Sequence, residues 1–377
     1  MNVYINTVEK FLPGESVNND EMESYLGKIN GTNSKARPIV LRNNGIKERY
    51  YAIDKNQKST YSNAELTATA VKKLQKNGFT INDIELLACG TTSPDQLLPS
   101  HASMVHGELG TGKTEYSSFN GSCNAGMLAM KYAWLSVMSE NTKNAVCTGS
   151  EKISTWLSAN RYNIEADKLS KLEKNPMLAF SKEFLRWMLS DGATAALLEN
   201  KPNAAGISLK IDWIEITSFA GELETCMYAG AEKKSEGNLT PWKDLSDEYI
   251  SENSLMVLQQ DTRLLGNNIV KKGAEFLVEL TQKHKFTTEN IHWFLPHLSS
   301  MYFKDKIYEE MKANGIYIAE DKWFLNLPYV GNVGSASAYL MLEELFNSDK
   351  LKKGEKILVM VPESARFSYT YMMLTVV

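Results

Sequence analysis

Short apolar runs alternate with helical stretches along the whole chain, and this alternation limits the fold more than any other feature. The runs IELLACG, NAVCTGS, TAALLEN and KILVMVP are bounded by turn signals and read as buried strands. Between them, NAELTATAVKKLQKNG reads as a helix closed by Gly78, with lysines in its last turns. NAGMLAMKYAWLSVMSEN is apolar on most sides and reads as a buried helix, whereas NIVKKGAEFLVELTQKH and KDKIYEEMKANG are amphipathic. SASAYLMLEELFNS is another buried type, with small residues at its start. The alternation predicts an α/β protein with parallel strands.

The plan occurs twice. Each half has a small-residue turn leading into a buried helix, Gly121 to Gly126 in one and Gly331 to Ser337 in the other, and each ends in a strand. We expect two similar halves, residues 1–205 and 206–377, with a helical excursion around 156–187 in the first. A chain of 377 residues is long enough for such a pair.

The first of these turns, FNGSCNAGM, carries Cys123. A thiol where an extended segment gives way to a helix meets the positive end of the helix dipole, and both the dipole and free backbone N–H groups favour thiolate. A histidine follows far downstream in WFLPHLSS, and an asparagine in YVGNVGSASAY. A nucleophilic Cys with His and Asn brought together by folding suits acyl transfer. Cys89 and Cys147 end apolar runs and read as core residues, while Cys226 has no assigned role. The four cysteines fit no metal or redox spacing, so no metal site is expected.

A net charge of −4 argues against a nucleic-acid partner held by bulk electrostatics. No signal peptide and no membrane span are expected, and the cysteine usage suggests the cytoplasm.

Six segments, in order, resemble those of β-ketoacyl-acyl carrier protein synthase III, a branch of the thiolase-fold condensing enzymes. They are FLPGESVNNDEM, LRNNGIKERYYA, TTSPDQLLPSHASMVHGELG, SDGATAALL, FLPHLSS and GNVGSASAYLML, with Cys123 at the family's nucleophile position. The resemblance implies a thiolase fold: α/β, with two similar halves in a five-layered αβαβα arrangement. It implies Cys123, His297 and Asn332 as catalytic residues, with the backbone N–H groups of Cys123 and Ala365 as the oxyanion hole. Arg42 and Arg49 are candidates for phosphopantetheine or carrier contacts, and Lys271 and Lys272 could meet an acidic carrier. The implied partners are acyl carrier protein, acyl thioester substrates and a second copy of the chain as homodimer. No cofactor is implied beyond the phosphopantetheine or coenzyme A that carries the substrate.

Departures narrow the reading. VPESARFSYTYMM replaces the family's glycine-rich C-terminal loop, and GTNSKARPIVLR lacks the aromatic that stacks on coenzyme A in many members. These features resemble the ketosynthase of dialkylresorcinol and flexirubin-type pathways, which joins a β-ketoacyl thioester to an unsaturated acyl thioester. That resemblance implies a wide apolar tunnel, for which PMLAF, RWMLS and SYTYMM are candidates. The alternatives are a decarboxylative synthase III that starts fatty-acid or polyketide chains, a synthase III-like O- or N-acyltransferase, and an inactive accessory subunit. Asn332 favours condensation over ester formation, and the intact Cys, His and Asn set argues against an inactive subunit.

Overall fold

A computed structural model describes residues 1–162 and 184–377. Most of the excursion expected around 156–187, and all of PMLAF, lies outside the described residues.

Nine strands form one sheet: β1 (Tyr4–Phe11), β2 (Leu86–Thr91), β3 (Glu115–Phe119), β4 (Asn144–Glu151), β5 (Gly192–Glu199), β6 (Leu209–Ser218), β7 (Trp293–Pro296), β8 (Lys356–Glu363) and β9 (Ser368–Val376). Their spatial order is β7-β8-β9-β6-β1-β5-β4-β2-β3. The sheet is mixed rather than parallel. Only β4 with β2, β2 with β3 and β7 with β8 run parallel, and the other five neighbouring pairs are antiparallel. The antiparallel pair β8 and β9 is a hairpin closed by a short loop, which needs no crossover helix. Outward from the central β1–β6 contact, β1-β5-β4-β2 and β6-β9-β8-β7 repeat the same order and the same pairing directions.

The principal helices are α1 (Asn63–Lys72), α2 (His101–Leu109), α3 (Ala125–Met138), α4 (Thr262–His284), α5 (Lys304–Ala313) and α6 (Ser337–Phe346). Helix α1 begins at a capping box in which the Ser62 hydroxyl accepts from Glu65 N–H and the Glu65 carboxylate accepts from Ser62 N–H. It ends at Lys72 rather than running to Gly78. Helix α4 starts earlier than its apolar pattern suggests, because Asp261 caps it by accepting from Arg263 and Leu264 N–H.

Burial shows the layers. One core joins α3 and α6 to strands of both half-sheets. A second packs α1 and α2 on the first half-sheet, and a third packs α4 and α5 on the second. The sequence of layers is helices, strands, central helices, strands, helices, which is the thiolase fold. The two central helices are almost in backbone contact. A Cβ on Gly126 would lie 2.3 Å from the Ser335 carbonyl oxygen, and Tyr339 donates to the Gly126 carbonyl at 2.7 Å. Asp191, from the SDGA segment, ties further loops to this centre by accepting from Ala52, Ile153 and Ser154 N–H. Among the described residues, no helix is long and apolar enough to cross a membrane.

Candidate active site

Cys123 occupies a 3-10 turn, Ser122–Asn124, that feeds directly into α3. The turn requires φ of +52° at Ser122, a left-handed conformation uncommon for a residue with a side chain. Asn124 steadies it by donating to the Ser368 hydroxyl at 2.8 Å, which binds the turn to β9. The Cys123 side chain is 8% exposed and faces two cavities.

The first cavity, about 570 Å³, runs between α4, α5 and the second half-sheet. His297 lines it together with Leu265, Ile269, Met311, Tyr369 and Tyr371. The second, about 480 Å³, is lined by Asn332, Glu151, Ser190, Ser299 and Ser364 as well as Cys123. Cys123, Ser299 and Ser364 belong to both, so the two spaces meet at the thiol. Tyr369 and Tyr371 in the first cavity come from SYTYMM, and Leu189 and Ser190 in the second come from RWMLS, both segments considered for the tunnel, while Trp187 of RWMLS is buried in the core.

His297 follows the end of β7 and is held by its own N–H, which donates to the Met360 carbonyl at 2.8 Å. Its side chain is buried, and among the described residues Nε2 has no hydrogen-bond partner. Burial pushes the imidazole down to about 4, so it is neutral near pH 7. Asn332 follows Gly331, whose φ of +72° and tight contacts demand glycine: a Cβ there would lie 2.8 Å from that of Ser190. Asn332 Oδ1 accepts from Gly334 N–H at 3.0 Å, which leaves the side-chain Nδ2 donors free among the described residues.

The electrostatics of the thiol differ from the expectation. Burial, followed by the nearby Glu363 and Glu151 carboxylates, pushes the Cys123 thiol up to about 12. Desolvation of a thiolate outweighs the help of a helix terminus, so the resting group is the neutral thiol. Glu151 is the residue the sequence reading missed. It ends β4 and is almost fully buried, accepting from Ser93 Oγ at 2.6 Å, Thr92 N–H at 3.1 Å and Ser335 N–H at 3.2 Å. A carboxylate directly after the small residues of CTGS was the available signal.

Three further expectations change. Ala365 N–H donates to the Glu363 carboxylate, which also accepts from Ser368 N–H, so it is not free to hold an oxyanion. Ser364, not Ala365, faces both cavities with Cys123. Glu363 is the internal anchor of the loop between β8 and β9. Arg49 has no exposed surface, and its guanidinium donates to Asn19 Oδ1 at 2.6 Å and the Trp187 carbonyl at 3.4 Å. It is a structural cation and cannot touch a docked carrier. Lys272 is occupied by Glu222 at 2.9 Å and Glu275 at 3.1 Å, whereas Lys271 is exposed. Arg42, in the last turn of a helix over Arg37–Asn44, is exposed and makes no ion pair among the described residues. Cys226 is buried and donates to the Asp261 carbonyl at 3.3 Å, despite its polar sequence neighbours.

Known proteins share this architecture. Residues 281–369 match the family model described as 3-oxoacyl-[acyl-carrier-protein (ACP)] synthase III C terminal. The β-ketoacyl-[acyl-carrier-protein] synthase III of Clostridium perfringens is 24% identical over 353 residues, covering 93% of this chain and 92% of the relative. The protein of the same name from Chlorobaculum tepidum is 25% identical over 369 residues, 98% of each chain. Among solved structures, the tetronic acid condensing enzyme AbyA1 superposes with a TM-score of 0.77 at 19% identity, covering 99% of each chain. Xanthomonas campestris OleA with bound lauric acid and lauroyl-CoA gives 0.72 at 19% identity, over 100% of this chain and 99% of the other. The structural likenesses show the thiolase-type fold, and the C-terminal match together with the full-length relatives makes the chain similar, along nearly its whole length, to β-ketoacyl-[acyl-carrier-protein] synthase III proteins.

Proposed function

We propose that the protein joins two acyl thioesters by Claisen-type carbon–carbon bond formation through an acyl-Cys123 intermediate. The observation that carries this reading is the placement of one thiol at the junction of two cavities, one mostly apolar with His297 and one with Asn332. Two cavities that meet at one nucleophile give each of two thioesters its own approach to the thiol.

In this reading, Cys123 attacks the thioester carbonyl of the first substrate as it loses its proton, and the carrier thiol leaves. The neutral His297, with Nε2 unpartnered, and the free Nδ2 of Asn332 then donate to the carbonyl oxygen of the second thioester. The second thioester loses an α-proton to solvent, or CO2 where it is a malonyl group, and these hydrogen bonds stabilise the resulting enolate. The enolate attacks the acyl carbonyl, the C–S bond breaks and Cys123 leaves as the reprotonated thiol. Removing one such donor costs about 10²–10³ in rate. Acyl carrier protein as donor, a homodimeric assembly and a cytoplasmic setting belong to the same proposal. So does the view of residues 1–205 and 206–377 as copies of one unit, which the repeated strand order supports.

Within this class we favour lipid-derived secondary metabolism, such as dialkylresorcinol formation from a β-ketoacyl and an unsaturated acyl thioester. The replaced C-terminal loop and the apolar cavity support it. The names of the full-length relatives favour a second reading, a decarboxylative synthase III that takes a malonyl acceptor.

The test is intact-protein mass spectrometry with acyl-carrier thioesters, followed by product analysis with malonyl- and β-ketoacyl-carrier acceptors. An adduct on the wild type, absent from Cys123→Ala, is expected, and the acceptor that yields product separates the two readings. Wild-type protein that remains unacylated by every donor would overturn the nucleophile assignment.

A further inference from the structure

Two tyrosines on β9, Tyr369 and Tyr371, line the apolar cavity from the same face of the strand. Their hydroxyls are treated differently. Tyr371 donates to the Gly273 carbonyl of α4 at 2.9 Å. Tyr369 is 1% exposed, and among the described residues its hydroxyl finds no hydrogen-bond acceptor. Buried phenols usually find one, so the gap calls for an explanation.

The surroundings hold the Tyr369 ring firmly. A Cβ on Gly273 would lie 2.7 Å from the ring edge, so α4 carries a glycine where the ring sits. Phe219 packs edge-on at 6.1 Å, and the Lys272 ammonium covers the outer face of Phe219. On the backbone, Tyr369 follows Ser368, the residue that receives the hydrogen bond from Asn124 beside the thiol. The cavity therefore offers a fixed, unsatisfied hydroxyl among apolar walls, in addition to the unpartnered Nε2 of His297. An unsubstituted acyl thioester meets His297 through its carbonyl but leaves the Tyr369 hydroxyl unpaired, whereas one with a second oxygen further along the chain has an acceptor for each.

We infer that Tyr369 is a specificity-determining residue whose O–H donates to an oxygen carried by the acyl chain, selecting 3-oxoacyl or hydroxyacyl thioesters over unsubstituted ones. The inference rests on the condensing reading above and names the substrate class of that site. A site built to hydrogen-bond a substrate oxygen discriminates strongly against the analogue lacking it, because its own group is then left unpaired.

The experiment compares Tyr369→Phe with the wild type in two assays. In the first, 3-oxoacyl and saturated acyl thioesters of equal length are titrated into the Cys123→Ala background, so binding is read without turnover. In the second, kcat and KM for both substrates are measured with Cys123 intact. The expected result is a loss of about 10- to 100-fold in affinity and kcat/KM for the 3-oxo chain, little change for the saturated chain, and a Tm no lower than wild type. Equal effects on both chains, or none on either, would overturn the role of Tyr369. A protein that prefers the 3-oxo chain in binding, loses that preference in Tyr369→Phe and yet never forms an acyl adduct would overturn the condensing reading and leave the selectivity standing.

Discussion

Two turns in this molecule are built alike and used differently. Ser122–Asn124 leads into α3, and Gly334–Ala336 leads into α6, each a single 3-10 turn before a buried central helix. Cys123 and Ser335 are the middle residues of the two turns. The Cys123 side chain faces two cavities, with the Ser122 hydroxyl donating to its sulfur at 4.0 Å. The Ser335 hydroxyl is consumed by the scaffold, donating to the Ser150 carbonyl at 2.9 Å and accepting from Ser150 N–H at 3.1 Å. One turn keeps a reactive group available. The other supplies the clamp that holds the first in place, since Ser335 N–H also binds the Glu151 carboxylate that faces Cys123 across the second cavity. A repeated scaffold can thus divide reactivity and rigidity between equivalent positions.

The comparison is open to direct challenge, beginning with the largest expected effect. Cys123→Ala removes the only group in either turn that we assign to covalent chemistry. Condensation should fall by at least about 10³-fold with the Tm nearly unchanged, as read by product formation beside a thermal melt. A large fall in Tm would mean that the first turn is also a structural clamp.

Gly149→Ala attacks the clamp instead. Its Cβ would lie 2.3 Å from the Ser335 carbonyl oxygen and 3.0 Å from the Ala336 Cα, both backbone atoms that cannot swing aside. We expect a destabilisation of about 2–4 kcal/mol by chemical denaturation. A variant as stable as wild type would show that the two turns can separate freely.

A pH series sharpens the electrostatic side of the comparison. Burial lowers His297 from 6.5 to about 4 on folding. The unfolded chain therefore takes up that proton first. The stabilisation is fully present above about pH 6.5 and is lost as pH falls toward 4, by up to about 3 kcal/mol. His101 carries the same downward shift to about 4 from burial, so the wild type has two such groups. Denaturation midpoints at pH 7.5 and 4.5 should differ less for His297→Gln than for wild type. Equal differences would indicate that His297 reaches solvent or a partner in the folded state.

The smallest effect is expected from Ser335→Ala, which leaves the Ser150 N–H without its partner. A loss of about 1–3 kcal/mol in stability, with Cys123 acylation retained, would mark the second turn as scaffold. Loss of acylation at unchanged stability would show that the turns share the chemistry.

Much of this was legible in the chain. The strands around Cys89, Cys147 and Leu358 follow from continuous apolar runs, and α3 and α6 from small residues opening into unbroken apolar stretches. The same local grammar marked Cys123 at a helix start, and the order of the motifs singled out His297 and Asn332, which line the two cavities that meet at the thiol. These properties are encoded within a dozen residues, so sequence by itself determined them. Only tertiary structure decided the remainder, because the deciding partners are remote or compete. Arg49 reads as a surface arginine until Asn19 and Trp187, 30 and 138 residues away, enclose it. The thiol reads as activated until burial and two carboxylates outweigh the helix terminus. Tyr369 and Tyr371 look interchangeable in SYTYMM until the carbonyl of Gly273, about a hundred residues earlier, accepts from one hydroxyl and leaves the other without an acceptor among the described residues. Periodicity fixes which face of an element is buried. What a buried polar group meets there depends on desolvation and on which distant groups packing brings within hydrogen-bond reach.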